Sequence, residues 1–207
     1  FGFDRLVEHL KKVKDKYVKL NIFRGDRESF HHIDYECSKQ ALDEISLGFG
    51  PGKDHWPFTV EDALDGIETG ADSFLNKHGW VYPTFWGFAY DYVYIGKYEE
   101  APPYPIHYMN SKMEDLVSSY DYRGPISYEV KLPMWNKPYL TDLTARFPYP
   151  SSIIYTESIN NYTEVIFKVA ANEPVRIQQA AKYAALLHLG SSHTQDYWTH
   201  LKFPEKN

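Results

Sequence analysis

The sequence predicts an α+β fold in which helices are interspersed with largely antiparallel strands, and three observations carry that expectation. Phe3, Leu6, Val7, Leu10 and Val13 recur at helical spacing. A dense aromatic stretch over residues 80–98 reads as strands, and residues 126–147 alternate apolar and polar side chains on either side of a turn, the pattern of a β-hairpin. No internal repeat or low-complexity tract interrupts this order, which argues against solenoids and propellers.

The elements follow in sequence. The first helix closes on Lys11, Lys12, Lys14 and Lys16, cations on the favourable side of the macrodipole. Residues 17–20 read as a short strand, 21–32 as a polar loop with Arg24, Gly25, Asp26 and Arg27, and 37–47 as a second helix. Residues 48–52 are a turn-rich break and 58–61 a strand. Pro102, Pro103 and Pro105 mark a connection, followed by a helix over 109–120 with Asn110 as its N-cap. After the hairpin, helices are expected over 157–170 and 174–187. The expected organisation is a first lobe over 1–61, a second over 62–172, and over 173–207 a helix leading into a following domain.

Composition bounds the function. With 207 residues, 43% hydrophobic and 17% aromatic, the chain can bury a substantial core. A net charge of −6 without any run of four Lys or Arg predicts no nucleic-acid partner. The single cysteine, Cys37, excludes an internal disulfide framework and a multi-cysteine zinc site, and cytoplasm is the expected compartment. No apolar run approaches the roughly eighteen residues of a spanning helix, so no membrane partner is expected. The chain opens on Phe1 directly ahead of a helix pattern, and the natural start is expected to lie upstream.

The chemistry concentrates in the hairpin. On the first strand Ile126, Tyr128, Val130 and Leu132 alternate with Ser127, Glu129 and Lys131; on the second, Tyr139, Thr141, Leu143, Ala145 and Phe147 alternate with Leu140, Asp142, Thr144 and Arg146. A turn around Asn136 that places Leu132 opposite Tyr139 also places Glu129 opposite Asp142. Like charges facing each other across a ladder are tolerated with a cation, a shared proton or open solvent. Mg²⁺ suits such a pair, since it takes one or two carboxylates plus phosphate oxygens and water. From these residues alone, a metal site and a solvated face with splayed acids are equal readings.

Several segments resemble ATP-grasp enzymes. Asp142-Leu-Thr-Ala-Arg-Phe147 is similar to the Glu-Phe-Asn-Cys-Arg-Phe segment of phosphoribosylamine-glycine ligases, and Glu129 sits where that superfamily places another metal carboxylate. Val60-Glu61-Asp-Ala-Leu-Asp-Gly-Ile-Glu68 resembles the hinge strand, which implies that Glu61 and the backbone after it, through Asp62 and Leu64, border adenine while Glu68 holds the ribose. Lys19 resembles the strand lysine that contacts phosphate, and the Arg24 loop stands where the phosphate-covering loop does.

The resemblance spans roughly residues 17–170 and implies a two-lobed fold clamping ATP between antiparallel sheets, with further domains before and after, so both ends are expected to be incomplete. It implies an ADP-forming carboxylate-amine ligase. ATP phosphates are held by Lys19 and Arg24, Mg²⁺ (with Mn²⁺ as substitute) is held by Glu129, Asp142 and Thr144, and Arg146 stabilises charge on the transferred group. A small-molecule carboxylate is phosphorylated and an amine captures the acyl phosphate, without a covalent enzyme intermediate. Thr144 stands where Asn is usual and Pro148-Tyr-Pro-Ser151 where Gly-Asp-Pro-Glu is common, so glycine as the amine does not carry over. A non-catalytic nucleotide-binding or structural module is the alternative, and a ligase acting on a different amine is a further one.

Other motifs are set aside. The 48–54 segment imitates a phosphate loop but has Leu47 in place of the first glycine and Asp54 in place of Ser/Thr. His188, His193 and His200 match no zinc spacing, and Gly190-Ser-Ser-His193 lacks a nucleophile elbow. Trp80, Tyr82, Phe85, Trp86 and Tyr90 are read as core or lobe contacts rather than a stacking platform.

Overall fold

The computed structural model describes residues 2–21, 29–90, 93–133, 137–148 and 152–189. The chain divides into two compact units, Phe1–Leu64 and Asp65–Asn207.

In the first unit, α1 (Phe3–Leu10) and α2 (Tyr35–Phe49) pack on one face of an antiparallel sheet of β1 (Lys16–Leu20), β2 (Ser29–His32) and β3 (Phe58–Asp62), in the order β2-β1-β3. Phe3, Leu6 and Leu10 stack on one helical face and bury against Val18, Leu20, Leu42, Ile45 and Phe58. Asp34 caps α2 by accepting from the Cys37 amide at 2.9 Å. His32 is fully buried, with its ring nitrogens at Ser38 Oγ (2.8 Å) and the Val13 carbonyl (3.2 Å), so it ties strand to helix.

Three expectations shift here. Helix α1 stops at Leu10, leaving Val13 outside it. The polar loop ends in β2, whose alternation is hidden by His31 and His32. Helix α2 runs through Gly48 to Phe49 before Gly50, at φ 57, turns the chain into a 3₁₀ segment, Gly50–His55.

The second unit is one antiparallel sheet in the order β10-β7-β6-β4-β8-β9, with β5 paired to β4. Its strands are β4 (Ile67–Asn76), β5 (Gly79–Trp80), β6 (Thr84–Tyr90), β7 (Val93–Glu99), β8 (Gly124–Leu132), β9 (Tyr139–Thr144) and β10 (Tyr183–Leu187). Helix α3 (Tyr104–Ser118) covers one face through Ile106, Met109, Met113 and Val117 against Ala71, Leu75, Ile126, Tyr128 and Val130. Helices α4 (Ile153–Ser158) and α5 (Tyr162–Ala170) cover part of the other through Tyr155, Val165 and Val169 against Phe74, Phe85 and Tyr98. This side has an open polar end around Glu68 and Glu129.

The element order agrees with an α+β reading, but several bounds are corrected. Helix α3 begins at Tyr104, with Pro105 in its first turn, where a missing N–H costs nothing. Asn110 is therefore not an N-cap; it is buried in the helix and accepts from the Tyr128 hydroxyl. The single helix expected over 157–170 is instead α4 and α5. Residues 174–187 form no helix. Gln178 and Ala180 bond back to Asn160 and Ser158 at 2.8 Å each, and Tyr183–Leu187 joins the sheet beside β7. Alanine and leucine favour a helix there, and the open edge of β7 overrides that local preference. The central strand β4 has no counterpart among the sequence-based expectations, because Thr69, Gly70, Asp72, Ser73 and Asn76 disguise it. Among the described residues no helix is long and apolar enough to cross a membrane.

Candidate functional site

The site is built on the β8–β9 hairpin. Ser127 pairs with Thr144, Tyr128 with Leu143 and Glu129 with Asp142, so the two carboxylates face each other as expected. The register then slips. Val130 pairs with Leu140 and Lys131 with Tyr139, leaving Thr141 as a one-residue bulge. The expected pairing of Leu132 with Tyr139 is thereby corrected. Beyond the bulge Leu140 shares the face of Val130, while Tyr139 joins the polar face with Lys131. The turn residue Asn136 lies outside the described residues.

Strand β4 supplies the rest of this face. Glu68 pairs with Lys131, Gly70 with Glu129 and Asp72 with Ser127. At Gly70 a Cβ would lie 3.8 Å from the Glu129 Cγ and 2.8 Å from the Tyr128 carbonyl oxygen, so glycine makes room beside the carboxylate. Lys131 binds Glu68 at 3.0 Å. Thr144 Oγ1 donates to Asp142 Oδ2 at 3.0 Å.

Glu129 is the electrostatic centre. Burial, then the neighbouring charges of Glu68 and Asp142, push its carboxyl from an ordinary 4.5 up to about 7. Behind it Asp72 is fully enclosed, and desolvation raises its pKa against the pull of the surrounding hydroxyls of Ser127, Tyr155 and Tyr94. Tyr94 donates to Asp72 Oδ2 at 2.5 Å, whereas Oδ1 lacks a well-aligned donor. The residue alternation pointed to Lys131, but nothing local in the sequence singles out Asp72, whose partners come from β7, β8 and α4.

Arg146 is exposed; its guanidinium donates to the Phe147 carbonyl at 3.0 Å and forms no ion pair with Glu129 or Asp142. In the first unit, Lys19 and Glu61 form an ion pair at 2.9 Å on the sheet face away from the helices, and Asp62 is bound by Lys16. Residues 60–68 are not one strand: β3 ends at Asp62, Leu64 lies in a short connection, and Glu68 belongs to β4. Arg24, with its loop, lies outside the described residues, as do His193, His200 and Gly190. Of the aromatic group, Trp80 and Phe85 are buried, Tyr82 and Trp86 pack at the edge of the α3 core, and Tyr90 is exposed.

No protein-family model matches the sequence, and no curated protein sequence does. Solved structures match the fold. Thermotoga maritima phosphoribosylamine-glycine ligase superimposes with a TM-score of 0.67 at 16% identity, covering 89% of this chain and 51% of its own. Aspergillus clavatus N5-carboxyaminoimidazole synthase, in complex with ADP and 5-aminoimidazole ribonucleotide, gives 0.64 at 15% identity, covering 93% and 52%. The biotin carboxylase domain of Hydrogenobacter thermophilus 2-oxoglutarate carboxylase, in complex with MgADP and bicarbonate, gives 0.59 at 14% identity, covering 87% and 42%. The chain thus has the ATP-grasp fold and spans about half the length of these proteins.

Proposed function

We propose that this chain is the nucleotide-binding core of an ADP-forming carboxylate-amine ligase of the phosphoribosylamine-glycine ligase type. The observation that carries the reading is the Glu129–Asp142 pair, held face to face on the open end of a sheet whose fold is that of ATP-grasp enzymes. The neighbours solved with ADP, and with MgADP, support a nucleotide and a magnesium ion as ligands.

The residues fit a hard divalent cation. Glu129, Asp142 and Thr144 offer only oxygen, and Glu129 is short of positive charge because Lys131 is engaged by Glu68. No cluster of three or more His, Cys, Asp or Glu arranged for a metal occurs among the described residues, so the rest of the shell falls to phosphate oxygens and water. When bound, magnesium supplies charge neutralisation at the phosphates.

In this reading Glu129 and Asp142 bind and orient the cation, Glu68 holds the ribose, and Lys131 keeps Glu68 in place. Lys19 meets phosphate once it leaves Glu61, while Glu61, Asp62 and Leu64 border the base. Arg24 and Arg146 contribute guanidinium charge to phosphate and to the acyl phosphate, respectively. A substrate carboxylate attacks the γ-phosphorus and displaces ADP, and the amine then attacks the acyl carbon, losing a proton and displacing phosphate, both reactions resting on positioning.

Calorimetric titration of MgATP into the folded full chain and into the Glu129→Gln, Asp142→Asn double variant tests the reading. Metal-dependent binding that the double variant loses supports it. Binding without any ADP release in a screen of carboxylates and amines favours a non-catalytic nucleotide module. Absence of binding to the full chain overturns the proposal.

A further inference from the structure

The two edges of the second unit's sheet are built differently. Edge strand β9 carries Asp142 and the Thr141 bulge, devices that discourage a neighbouring strand. Edge strand β10 carries neither: Tyr-Ala-Ala-Leu-Leu, residues 183–187, has no charge, no proline and no register slip against β7. Among the described residues its backbone is paired on the β7 side only. Tyr183 is 65% exposed and Leu187 60% exposed, on the same face of the strand. An uncharged, regular edge with large apolar side chains is a template for another strand.

We infer that β10 pairs antiparallel with β10 of a second copy of this chain about a two-fold axis at Ala185. The sequence is self-complementary in that register. Ala185 faces itself, Ala184 faces Leu186 of the second copy, and Tyr183 faces Leu187 of the second copy, an aromatic–aliphatic pair on the exposed face. No like charges meet within the five-residue ladder, so self-pairing carries no repulsion. The occupant is a second copy in closed two-fold symmetry rather than a growing stack, because the opposite edge is guarded and a β9–β10 contact would not close. The resulting sheet is continuous through both protomers, and the polar end bearing Glu129 lies on strands remote from the joint, separated from β10 by β7, β6 and β4.

The test is sedimentation equilibrium of the full chain up to about 200 µM, a range that captures micromolar association. The unaltered chain is expected at twice its monomer mass, and Ile166→Lys, on the exposed face of α5, is expected to leave that unchanged. Ala185→Lys places two ammonium groups across the axis and is expected to weaken association at least tenfold. Ala185→Glu alone behaves likewise, and mixing the Lys and Glu variants restores the dimer, an outcome that misfolding cannot mimic. Independently, hydrogen exchange in the unaltered chain is expected to show protection of the 183–187 amides that rises with concentration. A monomer throughout the range, a dimer that survives Ala185→Lys, or exchange over 183–187 that ignores concentration overturns the inference.

Discussion

Replacing Glu129 by glutamine should stabilise the second unit at alkaline pH and leave it unchanged in acid. The carboxyl takes up protons near pH 7 in the folded chain rather than at an ordinary 4.5. A folded-state value raised above the unfolded one means that the folded chain keeps a proton that the unfolded chain has released. Stability is therefore intact below about pH 4.5, falls as pH rises toward 7, and has reached its lower plateau above that. A displacement of this size corresponds to roughly 3 kcal/mol. Because glutamine in place of the carboxylate also changes its contacts with Glu68 and Asp142, about 2 kcal/mol is the expected gain from Glu129→Gln. In urea unfolding at pH 8 the variant should be more stable by that amount, about 4–8 °C in melting temperature, and the two proteins should coincide at pH 4.5. On the proposed function, saturating MgADP should reverse the order at pH 8 by stabilising the chain with both carboxylates more than the variant. A variant no more stable at pH 8 than at pH 4.5, relative to the unaltered chain, would refute the placement of Glu129 in a desolvated acidic cluster.

Asp72→Asn keeps the shape and can donate toward Tyr155 while accepting from Tyr94, so urea unfolding at pH 7 should find it within about 1 kcal/mol of the unaltered chain or above it, whereas Asp72→Ala should cost roughly 2–4 kcal/mol by leaving buried hydroxyls unpaired. Tyr128→Phe removes hydroxyl bonds to the Ile106 carbonyl and to Asn110, a loss of about 1–2 kcal/mol by the same measurement. Phe85→Ala empties the centre of the α4–α5 core, where the ring meets Tyr94, Tyr98 and Tyr155 edge-on, and should cost about 3–5 kcal/mol. Lys131→Met releases Glu68 and adds uncompensated negative charge beside Glu129, so a pH titration followed by carbonyl NMR should find the Glu129 carboxyl protonating at higher pH than in the unaltered chain.

Strand alternation puts Glu129 and Asp142 on the polar stripes of the two strands, which is legible in a single sequence, but they stand opposite each other only because the Thr141 bulge shifts the turn-side ladder by one residue. What lay beyond it was not readable. The bulge at Thr141 depends on how the hairpin fits β4, which no local pattern reports, and it exchanges the faces of Tyr139 and Leu140. Strand β4 was invisible for a related reason. Thr69, Ser73 and one oxygen of Asp72 find their partners in Gly87, Val81 and Tyr94, outside the strand, so the stretch reads as polar until those partners are in place. The Ala- and Leu-rich stretch 180–187 failed in the opposite way, its helical propensity overridden by the vacant edge of β7. Lys19 and Glu61 each carry a family resemblance on their own segment, yet their mutual ion pair follows from the β1–β3 pairing, which neither segment encodes.

The Thr141 bulge separates the hairpin into two mechanically distinct halves. Below it, Ser127–Thr144 through Glu129–Asp142 are keyed to the body of the sheet; above it, the ladder has already been rephased by one residue. The tip can thus be lengthened, shortened or re-sequenced without passing a frame error down to the carboxylates. The Glu129–Asp142 pairing is thereby insulated from change at the tip, and the hairpin is free to diversify at one end while its other end stays under geometric constraint.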